Sequence, residues 1–369
     1  MYHVKTMNKI SKIGLAELDD RFEISDTMEH EDAILVRSAK LHDYDFPAEL
    51  LCIARAGAGV NNIPLDRAAE AGIVVFNTPG ANANGVKELT IAALLLASRK
   101  ISQGITWVKE QAAAGADVAA VVEKGKAAYV GPEIQGKTLG VVGLGAIGVL
   151  VANAAAALGM QIVGYDPFLS VQHALNLTPG VKVVSTLEEL YGQADYISLH
   201  LPMTPETKGT LNDAAFAAMK DGVRIVNLAR GELVDTEALK AALASGKCAA
   251  YVTDFPNSET AAMEGVVAIP HLGASTPESE DNCAMMAARQ VRDYLDNGNI
   301  VNSVNLPVLS MAWAAKNRVC VLTKGADAAA IAAAVSASEA EKVLIPVSKC
   351  HAHIAGVKDQ PIGRLLDDA

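Results

Sequence analysis

Short apolar runs alternate with amphipathic stretches through the first hundred residues of the chain. Three runs have the length and β-branched content of buried strands, at 33–36, 51–54 and 73–76. Each run is followed by a loop rich in Gly, Asn or Arg, and helical patterns occupy 64–71 and 86–100. This alternation predicts a parallel sheet covered by helices, with ligands bound at the carboxyl ends of its strands.

A second series of strands begins near residue 139. Its members are separated by helices or loops and are predicted at 139–142, 161–165, 181–184, 196–199, 224–227, 249–253 and 266–269. The Ala-rich stretch 101–135 predicts helix, and 275–296 predicts a long helix that returns to the first sheet. Strand, helix and loop therefore follow one another in the βαβ order of a nucleotide-binding domain.

These patterns predict an α/β protein. Its first hundred residues form a parallel sheet covered by helices, and its later strands form a complete nucleotide-binding domain. For residues 311–369 the sequence pattern predicts a small α/β tail. It has strand patterns at 318–323 and 342–347 and a helical pattern at 326–334.

The composition restricts the class of function. Of the 369 residues, 51% are hydrophobic and 20% are charged, and the formal net charge is −11. This hydrophobic content excludes a disordered chain. The negative net charge means that the chain lacks the positive surface that nucleic acids and anionic membranes require. No apolar run could span a bilayer, and the N-terminus shows no secretory signal. We therefore expect a small-molecule partner and neither a nucleic-acid nor a membrane partner.

The five cysteines are scattered and never spaced as C-x-x-C. In a chain of this length they indicate buried thiols rather than a disulfide framework or a zinc site, so a reducing cytoplasm is predicted. His351 and His353 are separated by one residue, but no cluster of acidic or Cys residues accompanies them. We expect no metal.

Residues 143–148 have the sequence Gly-Leu-Gly-Ala-Ile-Gly, the pattern G-x-G-x-x-G placed between a strand and a helix. The glycines allow a tight turn and a close approach of pyrophosphate, and the helix start offers N–H groups to its charge. Asp166 ends the next strand, where it would accept hydrogen bonds from a ribose and repel a 2′-phosphate. The motif together with Asp166 predicts that the chain binds NAD rather than NADP. The alternative is a glycine-rich turn in another kind of α/β protein.

Several motifs, in the same order, resemble those of the D-2-hydroxyacid dehydrogenase family. GLGAIG is followed by YDP, ARGELVD and PHLGAST; upstream, RSAKLHD, RAGAGVNNIP and FNTPGANANGVKEL are more similar still to the family's phosphoglycerate dehydrogenases. The resemblance covers about residues 5–310. It implies two Rossmann-like domains, each a doubly wound parallel sheet: a substrate domain formed by residues 1–99 with 276–310, and a cofactor domain of residues 100–275 inserted into it. It implies NAD-dependent oxidation of D-3-phosphoglycerate to 3-phosphohydroxypyruvate, the first step of L-serine biosynthesis. It also implies a homodimer or larger homo-oligomer with contacts through the cofactor domain.

The resemblance implies a set of cofactor contacts in the loops after the strands of the second domain. Asp254 would receive the nicotinamide carboxamide. The full set is Gly143, Gly145, Ala146, Ile147, Gly148, Asp166, Leu201, Leu228, Ala229, Asp254, Gly273 and Ala274.

Three side chains are candidates for catalysis. Arg230 follows a predicted strand, and its guanidinium can bind a carboxylate through two N–H groups and polarise a neighbouring carbonyl. His271 follows another strand, and an imidazole exchanges protons near neutral pH. The resemblance implies a third residue, a glutamate beside this histidine. Glu259 lies five residues after Asp254 as that pattern requires, although the loop departs from the family's DVFxxEP form.

The first domain should line the substrate pocket. Arg37 and Arg55 each follow an apolar strand, and two arginines at neighbouring strand ends predict a locally positive pocket suited to a phosphorylated acid. The turn Gly57-Ala58-Gly59 offers backbone N–H groups to an anion. Ser38 and Asn82 are further neutral donors.

Two other functions stay open. The first is another D-2-hydroxyacid dehydrogenase, acting on glycerate, lactate or a similar acid. The second is an NAD-sensing scaffold without activity.

Many phosphoglycerate dehydrogenases end in a serine-sensing ACT module, and residues 311–369 suggest a degenerate form of it.

Overall fold

The computed structural model describes residues 1–310, 319–323 and 351–355, and its internal contacts divide the chain into two compact units. Unit 1 contains Met1–Asn82 and the chain from Pro277 onward, and unit 2 is Ala83–Thr276. The first boundary lies at Asn82 rather than at the predicted residue 99. The reason is that the helix after Asn82 buries Ala93 and Leu94 in a core of unit 2.

The described part of the chain alternates strands with helices throughout both units. The strands are β1 Tyr2–Met7, β2 Phe22–Ser25, β3 Ala33–Val36, β4 Cys52–Arg55, β5 Val74–Phe76, β6 Thr138–Val142, β7 Gln161–Tyr165, β8 Lys182–Val183, β9 Tyr196–Leu199, β10 Val223–Asn227, β11 Cys248–Thr253, β12 Val266–Ala268, β13 Val319–Thr323 and β14 His351–Ala355. The helices are α1 Lys12–Leu15, α2 Leu65–Glu70, α3 Ala83–Ser98, α4 Ile101–Ala113, α5 Val118–Gly125, α6 Ala146–Ala157, α7 Val171–Leu175, α8 Leu187–Gln193, α9 Asp213–Ala218, α10 Thr236–Ser245 and α11 Pro277–Asn297.

Unit 1 is built on a five-stranded parallel sheet in the order β2-β1-β3-β4-β5. The three predicted strands are confirmed as β3, β4 and β5. Along β3, Leu35 packs in one buried cluster while Ile34 and Val36 pack in another, so both faces of the sheet are covered. Strands β1 and β2 were not predicted, because most of their residues are half-buried and polar residues interrupt the apolar pattern.

Unit 2 is built on a seven-stranded parallel sheet in the order β12-β11-β10-β9-β6-β7-β8. All seven predicted strands are confirmed, and the predicted Rossmann order is present. Neighbours β6 and β9 mark the point where the strand order reverses, and in such sheets ligands bind beyond the carboxyl ends of the strands at that point. The glycine motif follows β6, so the fold places it at this reversal.

The Ala-rich stretch after α3 is helical in pieces rather than throughout. Helix α4 ends before Gly115, which has a left-handed φ of +74°, and Asp117 then caps the start of α5. A 3-10 turn follows at Lys126–Tyr129, and the chain is extended from Val130. Neither α4 nor α5 buries a residue within the chain.

The described part of the tail is one antiparallel pair, β13 with β14. The strand predicted at 318–323 is confirmed as β13, whereas the predicted helix 326–334 and strand 342–347 lie outside the described residues. Of the helices described here, none has the length and hydropathy needed to cross a membrane.

Candidate active site

The glycine motif forms a tight turn between β6 and α6. Gly143 has a left-handed φ of +93°, and a Cβ there would lie 2.6 Å from the backbone oxygen of His200. A Cβ at Gly148 would lie 1.9 Å from the oxygen of Gly143, whereas a Cβ at Gly145 would meet no atom within 4 Å. The loop therefore packs tightly behind Gly143 and Gly148 and stays open in front of Gly145, where a pyrophosphate can approach.

Gly145 is the N-cap residue of helix α6 and offers no side-chain cap, and the first turn of the helix contains no acidic residue. Its first N–H groups are thus available to an anion. The carboxylate of Asp166 stands against the same loop. Its Oδ2 accepts a hydrogen bond from the Leu144 N–H at 2.8 Å, and its Oδ1 accepts one from Phe168 at 2.8 Å. Asp166 is therefore held directly after β7, beside the glycine turn.

These contacts predict different results for two glycine substitutions in one loop. Gly148→Ala should lower the free energy of unfolding by about 1–3 kcal/mol, because its Cβ clashes with the backbone. Gly145→Ala should leave that free energy unchanged but weaken NAD binding on the order of tenfold or more, because the methyl group occupies the open side of the turn. Denaturant unfolding and calorimetric titration with NAD measure the two effects. Equal effects of the two variants on NAD binding without any loss of stability would contradict this account.

Arg230 is held by a buried amide that the sequence analysis did not identify. Asn227 is fully buried at the end of β10, and its Nδ2 donates to the oxygen of Arg230 at 2.8 Å and to the Tyr251 hydroxyl at 3.0 Å. Its Oδ1 accepts from the Ala229 N–H at 3.1 Å. The backbone around Arg230 is thereby fixed, and the Arg230 guanidinium donates to the Ala229 oxygen at 2.6 Å.

The side chains of Arg230 and His271 both contact one aromatic ring. The Phe255 ring lies with its centroid 4.2 Å from that of the His271 imidazole, at an interplanar angle of 47°. The guanidinium carbon of Arg230 lies 5.1 Å from the centroid of the same ring. Two of the three predicted catalytic residues are thus brought together, and Phe255 is a site residue that the sequence analysis missed.

Asp254 precedes this ring and is buried, with 1% of its surface exposed. Its Oδ2 accepts a hydrogen bond from the Gly273 N–H at 3.0 Å, while its Oδ1 is buried and has no hydrogen-bond partner among the described residues. Burial raises the pKa of the Asp254 carboxyl, and the Gly273 bond and the charge of His271 partly oppose that rise. An unpartnered buried oxygen fits a ligand with an N–H donor, such as a nicotinamide carboxamide.

Glu259 forms its ion pair with a residue other than His271, which differs from the expectation. Its Oε1 pairs with Nζ of Lys240 on α10 at 3.1 Å, and about half of each side chain is exposed. The loop fixes this direction, because Asn257 Oδ1 accepts hydrogen bonds from the N–H groups of both Glu259 and Thr260. Among the described residues, no hydrogen bond or ion pair connects Glu259 to the imidazole.

The other predicted cofactor residues lie at the start of α6 or in the loops that follow strands of the same sheet. Ala146 and Ile147 open α6, and Leu228 is buried after β10. Leu201 is partly buried after β9, and Ala274 follows the Gly273 that Asp254 holds. Behind the glycine turn, burial lowers the pKa of the His200 imidazole to about 4, which keeps it neutral beside Ser198.

In unit 1 the two predicted arginines lie at the ends of neighbouring strands. The Arg55 Nε donates to the oxygen of Arg37 at 3.1 Å, so the two residues are adjacent. Arg37 also forms an ion pair with Glu280 of α11 at 2.6 Å, with both side chains partly exposed. The charge of Arg37 is therefore offset by an acidic counter-ion, which the sequence analysis missed because Glu280 is far away along the chain.

The remaining substrate candidates lie in the loops after the unit 1 strands. Gly57 has a φ of +156°, and its N–H donates to the Arg55 oxygen at 2.8 Å. The Ala58 oxygen accepts from the Asn77 side chain at 2.7 Å. The N–H of Ser38 donates to Asn8, a left-handed residue after β1 that was not identified from the sequence. Gly59 and Asn82 are half-buried in the same set of loops.

Comparison with known proteins agrees with this geometry. Residues 91–273 match the family model described as D-isomer specific 2-hydroxyacid dehydrogenase, NAD binding domain. Residues 322–369 match a domain of unknown function, DUF3842. The first match contains the glycine turn, Arg230, Phe255 and His271, and the second covers most of the tail.

Curated relatives and solved structures support the same assignment. The chain is 38% identical over 76% of its length to D-3-phosphoglycerate dehydrogenase of Rattus norvegicus, and 36% identical over 84% to that of Bacillus subtilis. It spans only 52% and 60% of those two proteins. An NAD-bound 3-phosphoglycerate dehydrogenase of Entamoeba histolytica superposes with a TM-score of 0.62 at 27% identity. The alignment covers 82% of this chain and 98% of that one.

A glyoxylate reductase of Paecilomyes thermophila superposes with a TM-score of 0.67 at 27% identity, over 82% of this chain and 98% of that one. Enzymes with different substrates thus share the two-unit α/β fold. The family model, the curated relatives and the glycine turn together show that the chain belongs to the D-2-hydroxyacid dehydrogenase family and carries its NAD-binding domain.

Proposed function

We propose that the protein oxidises D-3-phosphoglycerate to 3-phosphohydroxypyruvate with NAD, the entry reaction of L-serine biosynthesis. The observation that carries this proposal is the placement of Arg230 and His271 on one ring beside the buried, partly unpaired Asp254. A cation that binds carboxylates and a base that accepts a proton are the two groups that a 2-hydroxy acid requires. The relatives named phosphoglycerate dehydrogenase support this substrate.

The residues have separate tasks in this reaction. The Arg230 guanidinium holds the substrate carboxylate and stabilises negative charge on the oxygen attached to C2. His271 accepts the hydroxyl proton as that oxygen becomes a carbonyl, and it returns the proton in the reverse direction. Bound NAD supplies the acceptor for the hydrogen that leaves C2 with its electron pair. The start of α6 would hold its pyrophosphate, Asp166 its ribose and Asp254 its carboxamide.

A substrate panel tests the proposal. We expect reduction of NAD with D-3-phosphoglycerate to exceed that with D-glycerate and D-lactate in kcat/KM. We also expect NADP to be a much poorer cofactor, because the Asp166 carboxylate would repel a 2′-phosphate on the ribose that it is proposed to bind. A higher kcat/KM with lactate or glycerate would point to another D-2-hydroxyacid dehydrogenase. Absence of turnover with intact NAD binding would point to a sensing scaffold.

The two arginines of unit 1 are our candidates for binding the phosphate group. Arg37→Ala should raise the KM for 3-phosphoglycerate on the order of tenfold, because a charge-assisted contact is lost at a partly exposed site. The KM for D-glycerate should change much less, since that acid has no phosphate. Steady-state kinetics with both acids measures the difference, and Arg55→Ala should behave in the same way.

Glu280→Gln is the informative comparison for this prediction. It removes the counter-ion of Arg37 and should lower the KM for 3-phosphoglycerate, whereas Glu278→Gln removes an equal charge from the same helix turn and should change it less. If the arginine variants raise the KM of both acids equally, the two arginines have a structural role, and the proposal that the substrate is phosphorylated is contradicted.

For the assembly and the compartment we infer a homo-oligomer in a reducing cytoplasm. Helices α4 and α5 of the cofactor-binding unit bury none of their residues, and Ile101, Ile105 and Val108 are exposed on α4, which suits contact with another copy of the chain.

The described cysteines support the inferred reducing compartment. Cys52, Cys248 and Cys283 are buried free thiols, and burial raises the pKa of Cys248 to about 12, so it stays protonated and unreactive.

A further inference from the structure

The loop that carries Arg37 is held by polar side chains from neighbouring parts of unit 1. The Arg55 Nε donates to the Arg37 oxygen at 3.1 Å, and the Asn62 Nδ2 donates to the Ala39 oxygen at 2.8 Å. Both side chains are donors, so they fix only the carbonyl groups of the loop. An acceptor is needed to fix its N–H groups as well.

That acceptor is Asn8. Strand β1 pairs with β3 so that Met7 lies opposite Val36, which places Asn8 beside the residues that follow β3. Its Oδ1 accepts hydrogen bonds from the N–H groups of Ser38 at 3.0 Å and Ala39 at 2.6 Å. Asn8 has a left-handed φ of +73°, a conformation that asparagine adopts more readily than most other residues with a side chain. One uncharged side chain thus holds two adjacent N–H groups of the loop.

We propose that Asn8 is a positioning residue for the substrate phosphate, because its amide oxygen fixes the backbone from which Arg37 reaches the anion. This inference rests on the proposed function, since it concerns the phosphate site of that reaction. The side chain of Arg37 pairs with Glu280 at 2.6 Å and is partly exposed, so it can exchange this carboxylate for a phosphate while its backbone stays in place. A binding group held in a preformed geometry loses less conformational entropy when the ligand binds.

The amide of Asn8 suits an anion site better than a carboxylate would. Aspartate also tolerates a left-handed φ and accepts hydrogen bonds, but it would bring a negative charge to the loop of Arg37. The Arg37 guanidinium already has the carboxylate of Glu280 against it. Asn8 therefore fixes the loop without reducing the positive charge of the site any further.

Asn8→Gly tests the proposal, because glycine tolerates the left-handed φ and lacks the acceptor. Hydrogen exchange of the amides in segment 37–41, measured by mass spectrometry on the ligand-free protein, should become faster. The KM for 3-phosphoglycerate should rise about three- to tenfold, the factor expected for loss of one ordinary hydrogen bond. The kcat and the KM for D-glycerate should stay close to those of the parent protein, since glycerate has no phosphate.

Asn8→Asp is the matched variant, because it keeps the acceptor and adds a charge. It should keep the slow exchange of segment 37–41. Its KM for 3-phosphoglycerate, relative to that of the parent protein in the same buffer, should be raised in low salt and approach one in high salt, where the added charge is screened. The rise caused by Asn8→Gly should persist in high salt, because a lost hydrogen bond is not restored by screening.

Inorganic phosphate is the probe that does not depend on turnover. Its dissociation constant, measured by calorimetric titration, should rise in Asn8→Gly by the same factor as the KM. The proposal is overturned if Asn8→Gly speeds exchange but changes neither constant, if the KM of D-glycerate rises equally, or if Asn8→Asp exchanges as fast as Asn8→Gly. If the parent protein turns over a different acid, the proposed function fails, whereas the exchange rates and the phosphate affinity still decide the role of Asn8.

Discussion

Replacement of His271 with Asn should lower kcat by about 100- to 10,000-fold, the usual contribution of a general acid or base. The side chain is exposed at its loop and contacts Phe255, so the substitution removes a proton acceptor without opening a cavity in the core. The affinity for NAD should be nearly unchanged, because the glycine turn and Asp166 are unaffected. Stopped-flow kinetics with saturating substrate and calorimetric titration with NAD measure the two quantities.

The pH profile provides the control for this prediction. In the parent protein, oxidation requires a neutral imidazole, so kcat/KM should fall as the pH drops and His271 becomes protonated. That acidic limb should be absent from the His271→Asn variant. If the variant retains both the rate and the limb, the proton goes to a different residue and the mechanism proposed here is wrong.

Replacement of Arg230 with Ala should lower kcat/KM by about 30- to 5,000-fold, because truncation of a hydrogen-bonded charge pair typically costs about 2–5 kcal/mol. Asn227 fixes the backbone of Arg230, and the guanidinium lies over the Phe255 ring and donates one hydrogen bond to the Ala229 oxygen. Steady-state kinetics with a 2-hydroxy acid measures the loss.

Arg230→Lys is the matched variant, since it keeps the positive charge but loses the planar pair of N–H donors. It should recover only a small part of the lost kcat/KM if the carboxylate is bound through two N–H groups. Full recovery would show that a point charge is sufficient. If kcat/KM is unchanged in Arg230→Ala, then Arg230 does not bind the substrate.

The sheet of unit 2 and its cofactor loop could be predicted well from the sequence, for a physical reason. The central strands β6 and β9 are buried almost throughout and consist mainly of apolar residues, and the turn before α6 requires glycine for steric reasons at Gly143 and Gly148. Such constraints leave a local pattern in the sequence. Strands β1 and β2 lack that pattern because polar residues interrupt their apolar positions.

The contacts among side chains could not be predicted, because they depend on residues far apart along the chain. The Arg37–Glu280 ion pair joins two residues that are 243 positions apart, and the sequence near Arg37 contains no sign of it. The direction of the Glu259 side chain depends on a turn that Asn257 closes. The spacing of residues along the loop could therefore not predict that Lys240 would be the partner of the Glu259 carboxylate. Asn227 was not singled out by any sequence pattern, and only the structure shows that this polar side chain is buried at the end of β10.

The most direct test of the central claim is to follow the hydrogen that leaves the substrate. D-3-Phosphoglycerate carrying deuterium at C2 would be incubated with the protein and NAD, and the reduced cofactor would be analysed by mass spectrometry. If the protein is an NAD-dependent 3-phosphoglycerate dehydrogenase, the reduced cofactor will contain one deuterium per molecule, and His271→Asn will slow its appearance. Failure to form labelled reduced cofactor with this acid, while labelled glycerate or lactate does form it, would contradict the account.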